Sequence, residues 1–291
     1  MKFATIRVDG GTRAVLVDGD ELVDLGFGDL GQALRAPGGL AGAVQTNSAD
    51  AKRWRTGELG DTAYAPVVPN PGKIVCVGLN YANHIREMGR ELPEHPTLFG
   101  KYPEALIGAD DPLVLPPEST DVDWEAELAV VIGSPVRRAG ENEAAEAIAG
   151  FAVLNDVTMR DWQYRTPQWL QGKTFEATTP FGPWLVTPDE LDGGVRPRLE
   201  LTGLVDGEVV QKADTSDLVF DPVALVSYVS TILTLNPGDV IATGTPGGVG
   251  HARKPARYLT PGSLLTTRIT GLGESTVRVL GLEPHGSGSG A

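Results

Sequence analysis

The sequence has a single cysteine, Cys76, which excludes an intramolecular disulfide framework and a zinc cluster built from cysteines. Basic residues are in short supply too. Lys and Arg number 24 against 38 Asp and Glu, a formal net charge of −14. So acidic a chain disfavours nucleic acid and an anionic bilayer as partners. No run of about eighteen apolar residues occurs, so no spanning helix is expected. The N-terminal MKFATIRVDGG lacks the basic start and apolar core of a signal peptide. None of the four histidines (84, 95, 251 and 285) falls in H-E-x-x-H or pairs at helical metal-ligand spacing. Gly172-Lys173-Thr174 would close a phosphate loop only with glycine at 167, where Pro167 stands, and residues 243–250 miss the G-x-G-x-x-G register. What is present, 41% hydrophobic residues, suffices for a proper core. The expectation is a soluble, cytoplasmic globular protein.

Along the chain, FATIRV, TRAVLV and ELVDL alternate around Asp9-Gly10-Gly11 and Asp18-Gly19-Asp20, the signature of a small β-meander. GDLGQALRAPGGLAGAVQ predicts short helices broken at Pro37-Gly38-Gly39. Prolines 66, 69 and 71 mark a linker, which divides a small N-terminal α+β domain (1–69) from a larger domain (70–283). Residues 284–291 read as a flexible tail. KIVCVGLN reads as a buried strand, and YANHIREMG as a helix capped by Asn80 and stopped at Gly89. VDWEAELAVVIG is a further strand, and EAAEAIAGFAVLNDVT a helix running into another. Asp206-Gly207 signals a hairpin. Asp221-Pro222 opens a helix with Leu225, Val226, Val229, Ile232 and Leu233 on one face. Strands outnumber helices and few sit at βαβ spacing, so the fold class is α+β, β-dominated, rather than a doubly wound sheet.

Four groups of residues carry candidate chemistry. Glu125 and Glu127 are two apart in a strand, so both carboxylates face one small volume, where they repel unless a cation neutralises them. The alternative is a solvated strand face. Asp156 directly follows an apolar strand, and a third carboxylate there would make an all-oxygen site suited to Mg²⁺, Mn²⁺ or Ca²⁺. Taken alone, it reads rather as a turn or helix N-cap residue. His84 and Glu87, three apart on a short helix, form either a water-activating base or a surface pair. Lys173, among Trp169, Leu170 and Phe175, either faces a cleft or snorkels at the surface.

Taken in order, GLNYANHIREMG, LFGKYPEALIG, VDWEAELAVVIG, GFAVLNDVTMRDWQ, QGKTFEATTPFGP and NPGDVIATGTPGGVG resemble the shorter members of the fumarylacetoacetate hydrolase family. The resemblance runs from about Lys73 to Val249. It implies a mixed β-sandwich or β-roll core with its site in a cleft, in a homodimer. It implies Mg²⁺ or Mn²⁺ on Glu125, Glu127 and Asp156, His84 as general base with Glu87 as its partner, and Lys173 as an oxyanion stabiliser. Lys101, Arg160, Gln163 and Thr245 match substrate-contacting positions. The larger members' further acidic ligand has no counterpart near GLNYANH. The implied reaction is hydrolytic cleavage of a carbon–carbon bond in a β-diketo (acylpyruvate-type) 2-oxo acid, giving pyruvate and a carboxylic acid. Decarboxylation of oxaloacetate-like acids, isomerisation of unsaturated 2-oxo diacids, or a binding role without catalysis are the alternatives.

Overall fold

The computed structural model describes residues 1–8, 10–46, 50–60 and 63–281. Asp9 and the tail 284–291, which carries His285, lie outside the described residues. Ten strands form one mixed sheet. In spatial order they are Arg53–Arg55, Glu21–Asp24, Gly11–Asp18, Lys2–Val8, Leu185–Val186, Ile148–Asn155, Ala126–Ile132, Val240–Ala242, Ile74–Gly78 and Thr97–Lys101. The N-terminal meander thus continues the sheet that carries VDWEAELAVVIG, joined through Lys2 opposite Val186. A second sheet holds Glu208–Asp214, Glu200–Val205, Leu264–Ile269, Gly273–Leu280 and Leu113–Val114. The fold is α+β and dominated by strands.

Alternation along Ala126–Ile132 sorts the core, although every residue of this central strand is buried. Leu128, Val130 and Ile132 pack with Val223, Val226 and Val229 of the helix Pro222–Ile232. Ala129 and Val131 pack on the other face with Leu30, Ala33, Leu34 and Leu40 from the helices Leu30–Arg35 and Gly39–Gln45. Covered on both faces, the strand has no solvated side, which explains its continuous apolar run. Glu127 shares the face of Ala129 and Val131, so the acids stand at the end of a dry core.

Local chemistry follows the expected signals at several points. The Asp221 side chain accepts from Ala224 N, with Pro222 in the first turn. Asp206 and Gly207 have φ of 54° and 81°, the two positive angles of a tight two-residue hairpin. Two local expectations need correction. Asn80 does not cap the helix Ala82–Glu87, whose N-cap is Tyr81. Fully buried, Asn80 instead donates to the carbonyls of Phe220 and Thr243 and accepts from Phe220 N, tying three segments together. Ile232, the last residue of the helix Pro222–Ile232, is 58% exposed rather than part of the buried helix face.

Candidate active site

The strands Ala126–Ile132 and Ile148–Asn155 are antiparallel, with Ala126 opposite Asn155. The pairing continues one step further: Asp156 N donates to Glu125 O at 2.8 Å, and Asn155 Oδ1 accepts from Glu125 N. Glu125 and Asp156 are therefore cross-strand neighbours, and Glu127 lies two residues along the same face. One oxygen from each of the three carboxylates falls within 4.8 Å of the others. That is the span of ligands on opposite sides of a hard cation at about 2.1–2.4 Å.

Three cations close the cluster. Lys173, only 2% exposed, donates to Glu125 Oε2 at 2.6 Å and Asp156 Oδ2 at 2.9 Å. This burial excludes the surface-lysine alternative. Lys101 Nζ donates to Thr179 Oγ1 at 2.5 Å and lies 2.8 Å from Asp156 Oδ1. This buried oxygen is therefore held in an ion pair with Lys101. Arg160 spreads its guanidinium over three partners. Nε donates to Asp123 Oδ2 at 2.8 Å, Nη1 to Gln163 Oε1 at 2.8 Å, and Nη2 stands 2.7 Å from Glu125 Oε1.

Four buried carboxylates, Asp123 included, thus face three cations and leave one negative charge in excess. That excess favours a proton on Glu127. Burial, then the charges of Asp156 and Glu125, push its carboxyl well above the usual range, against Lys173 and a bond from Gly244 N. Asp156 goes the other way: burial alone would raise it, but Lys101 and Lys173 hold it below its ordinary value. An all-oxygen donor set whose atoms lie within 4.8 Å of one another, with more carboxylates than cations around it, fits a hard divalent cation.

The loop after Val240–Ala242 borders the same acids. Its Gly244 N donates to Glu127 Oε2 at 2.8 Å. Thr245 Oγ1 donates to Ala126 O at 3.0 Å and accepts from Gln211 Nε2 at 2.8 Å, so this hydroxyl fastens the loop to the strand. A Cβ added at Gly247 would stand 2.9 Å from His84 Nδ1 and 3.5 Å from Glu87 Oε2. The loop is therefore pressed against the helix Ala82–Glu87, where His84 is half-buried and Glu87 exposed. That helix is held by Asn83 N donating to Asp217 and by a bridge between Tyr81 and Leu218. Burial lowers the His84 pKa below 6.5, against the upward pull of Glu87 and Glu125.

The structure thus brings Lys101, Glu125, Glu127, Asp156, Arg160, Gln163 and Lys173 into one connected cluster. His84, Glu87 and Thr245 sit along its bordering loop. Sequence reasoning missed Asp123, although Asp123, Glu125 and Glu127 form a continuous two-residue alternation. It also missed Thr179, Asn155 and Gln211, whose partners lie far away in sequence and leave no local signal.

Buried strand-end carboxylates among buried lysines, with the half-buried His84 and the exposed Glu87 at their rim, define a candidate carboxylate metal site. The family model for the fumarylacetoacetate (FAA) hydrolase C-terminal region matches residues 73–280, and the chain belongs to this family. It is 44% identical over 213 residues to the mitochondrial oxaloacetate tautomerase of Rattus norvegicus, covering 73% of this chain and 67% of that one. A solved fumarylacetoacetate hydrolase from Exiguobacterium antarcticum is 32% identical with a TM-score of 0.84, covering 97% of this chain and 100% of that one. A maleylpyruvate hydrolase from Sphingobium, solved with manganese (II) and pyruvate, is 29% identical with a TM-score of 0.78 at the same coverage. Among the described residues no helix is long and apolar enough to cross a membrane.

Proposed function

We propose that the chain converts a small 2-oxo acid through its enolate, and that its first substrate class is an oxaloacetate-like diacid undergoing keto–enol interconversion. The observation that carries this reading is the half-buried His84, with its lowered pKa, on the helix it shares with Glu87, packed against the loop whose Gly244 N binds Glu127. Similarity to an oxaloacetate tautomerase supports the substrate class. A divalent ion, Mg²⁺ or Mn²⁺, held by Glu125, Glu127 and Asp156, would supply Lewis-acid polarisation of the 2-oxo group. His84, predominantly neutral at pH 7, takes the proton from the carbon next to the carbonyl and returns it to the enolate oxygen, which forms the enol and restores the base. Glu87 stabilises the imidazolium that results. Lys173 and Arg160 supply fixed positive charge in an otherwise acidic molecule, favouring a dianionic substrate. Lys101, Gln163 and Thr245, which contact Asp156, Arg160 and Ala126 beside these groups, are the further substrate-binding residues of this proposal.

A second reading, hydrolysis of an acylpyruvate, is favoured by the same His84–Glu87 pair acting on water, with Lys173 at the tetrahedral oxyanion. One assay separates them. With Mn²⁺ or Mg²⁺ present, enol absorbance is followed for oxaloacetate, acetylpyruvate and fumarylpyruvate while pyruvate is measured separately. Faster enol loss from oxaloacetate without pyruvate release is the expected result. Pyruvate release from acetylpyruvate or fumarylpyruvate would establish the hydrolase, and pyruvate from oxaloacetate a decarboxylase. No turnover of any of the three would overturn the enolate reading. The cytoplasmic setting and the homodimer belong to this proposal too, and solution mass tests the latter.

Gly247→Ala offers a geometric check. The atom its methyl would meet is the movable ring of His84, so the fold can adjust while the ring cannot stay in place. The expected outcome is a Tm near wild type with kcat lowered roughly 10- to 100-fold. Unchanged kcat would mean that the ring acts from another position.

A further inference from the structure

We infer that Asp123 is a positioning residue: it locks Arg160 and the far end of the 243–251 loop to the acidic strand. This inference rests on the proposed function, which places Arg160 and His84 at the substrate. Asp123 is completely buried and both of its oxygens are saturated. Oδ1 accepts from Trp124 N at 2.8 Å and Gly250 N at 2.7 Å, while Oδ2 accepts from Arg160 Nε at 2.8 Å and His251 N at 3.0 Å.

The three alternating acids therefore divide their work. Glu127 grips the near end of the loop through Gly244 N. Asp123 grips the far end through Gly250 N and His251 N. Between these anchors sits Gly247, against His84 and Glu87. The middle acid, Glu125, meets Lys173 and Arg160 Nη2. Arg160 is in turn oriented by Asp123 on one edge and Gln163 on the other. A buried ion pair is weak evidence of a stabilising role. Four directed, partly charge-assisted hydrogen bonds on one carboxylate are instead a means of fixing orientation.

The test is Asp123→Asn in the Mn²⁺-loaded protein. Asparagine keeps the shape but turns an N–H₂ group toward donors, so two of the four bonds are lost. Three quantities are read. The expected results are kcat lowered roughly 30- to 300-fold with KM within about threefold; Mn²⁺ affinity, by electron paramagnetic resonance without substrate, within about threefold of wild type; and hydrogen-exchange protection lost at Gly250 and His251 but kept at Gly244. An unchanged kcat overturns the inference, as does loss of Mn²⁺ binding or loss of protection across the whole sheet. Should this variant fail to fold, His251→Pro removes one donor to Asp123 Oδ2 at the second position of a short 3₁₀ turn, Gly250–Ala252. It should lower kcat in the same manner, and an unchanged kcat there also overturns the inference. Wild-type protein without turnover refutes the functional reading itself. The exchange measurement then still decides whether Asp123 tethers the loop.

Discussion

Replacing His84 by Ala is expected to lower kcat by roughly 10²- to 10⁴-fold, with Mn²⁺ affinity within about threefold of wild type. The ring is half-buried at the rim of the acidic cluster, and burial disfavours its protonated form. Glu87 and Glu125 oppose that effect without reversing it, so the pKa lies below 6.5. The base form therefore predominates at pH 7, and kcat/KM should fall as pH drops below 6.5 through the lowered pKa. Residual activity of the variant should lose this acid limb. Stability follows the same sign. The unfolded chain takes up this proton at a higher pH than the folded one, so stability is fully present above 6.5 and declines as pH falls through the folded pKa. The Ala variant lacks that decline. Loss of Mn²⁺ binding would instead make His84 a ligand, and an unmoved acid limb would assign the limb to another group.

What could be read from the chain divides along the range of the interactions involved. Alternation alone was enough to place Glu125 and Glu127 on one face, and the apolar run before Asp156 placed it at a strand end. Both follow from backbone geometry within a few residues. The pairing of Ala126 with Asn155, which makes Glu125 and Asp156 neighbours, is non-local, so the sequence could offer the three acids only as separate candidates. Lys173 had two readings because nothing local reveals that Glu125 and Asp156, 48 and 17 residues away, bury its ammonium. Asn80 misled for the opposite reason. It is a good cap residue by type, but its amide meets Phe220 and Thr243, which only the folded chain brings near. Likewise, nothing in the linker prolines reveals that Lys2–Val8 pairs with Leu185–Val186 and extends the main sheet.

Glu125→Gln is expected to reduce cation-dependent turnover by ~10³-fold or more, and its most informative readout is thermal. In the wild type Glu125 accepts from Lys173 at 2.6 Å and stands 2.7 Å from Arg160. An amide cannot serve both, because whichever cation meets its N–H₂ faces a donor instead of an acceptor. Breaking a buried pair in this way costs about 3–5 kcal/mol. The loss is partly offset, since Glu125 is also one of the charges that raise the Glu127 carboxyl, after burial and Asp156. The free variant should therefore fold, with a lowered Tm. The cation's contribution is separable from that loss. At one hundred times its Kd a bound ion adds about 2.7 kcal/mol to stability, whereas an ion bound 100-fold more weakly adds only about 0.4 kcal/mol at the same concentration. Melting both proteins with and without a fixed Mn²⁺ concentration should show a rise of several degrees in the wild type and almost none in the variant. An equal rise in both, with turnover retained, would remove Glu125 from the ligand set. A rise retained with turnover lost would instead leave Glu125 working through Lys173 and Arg160, as the group that fixes positive charge over the substrate.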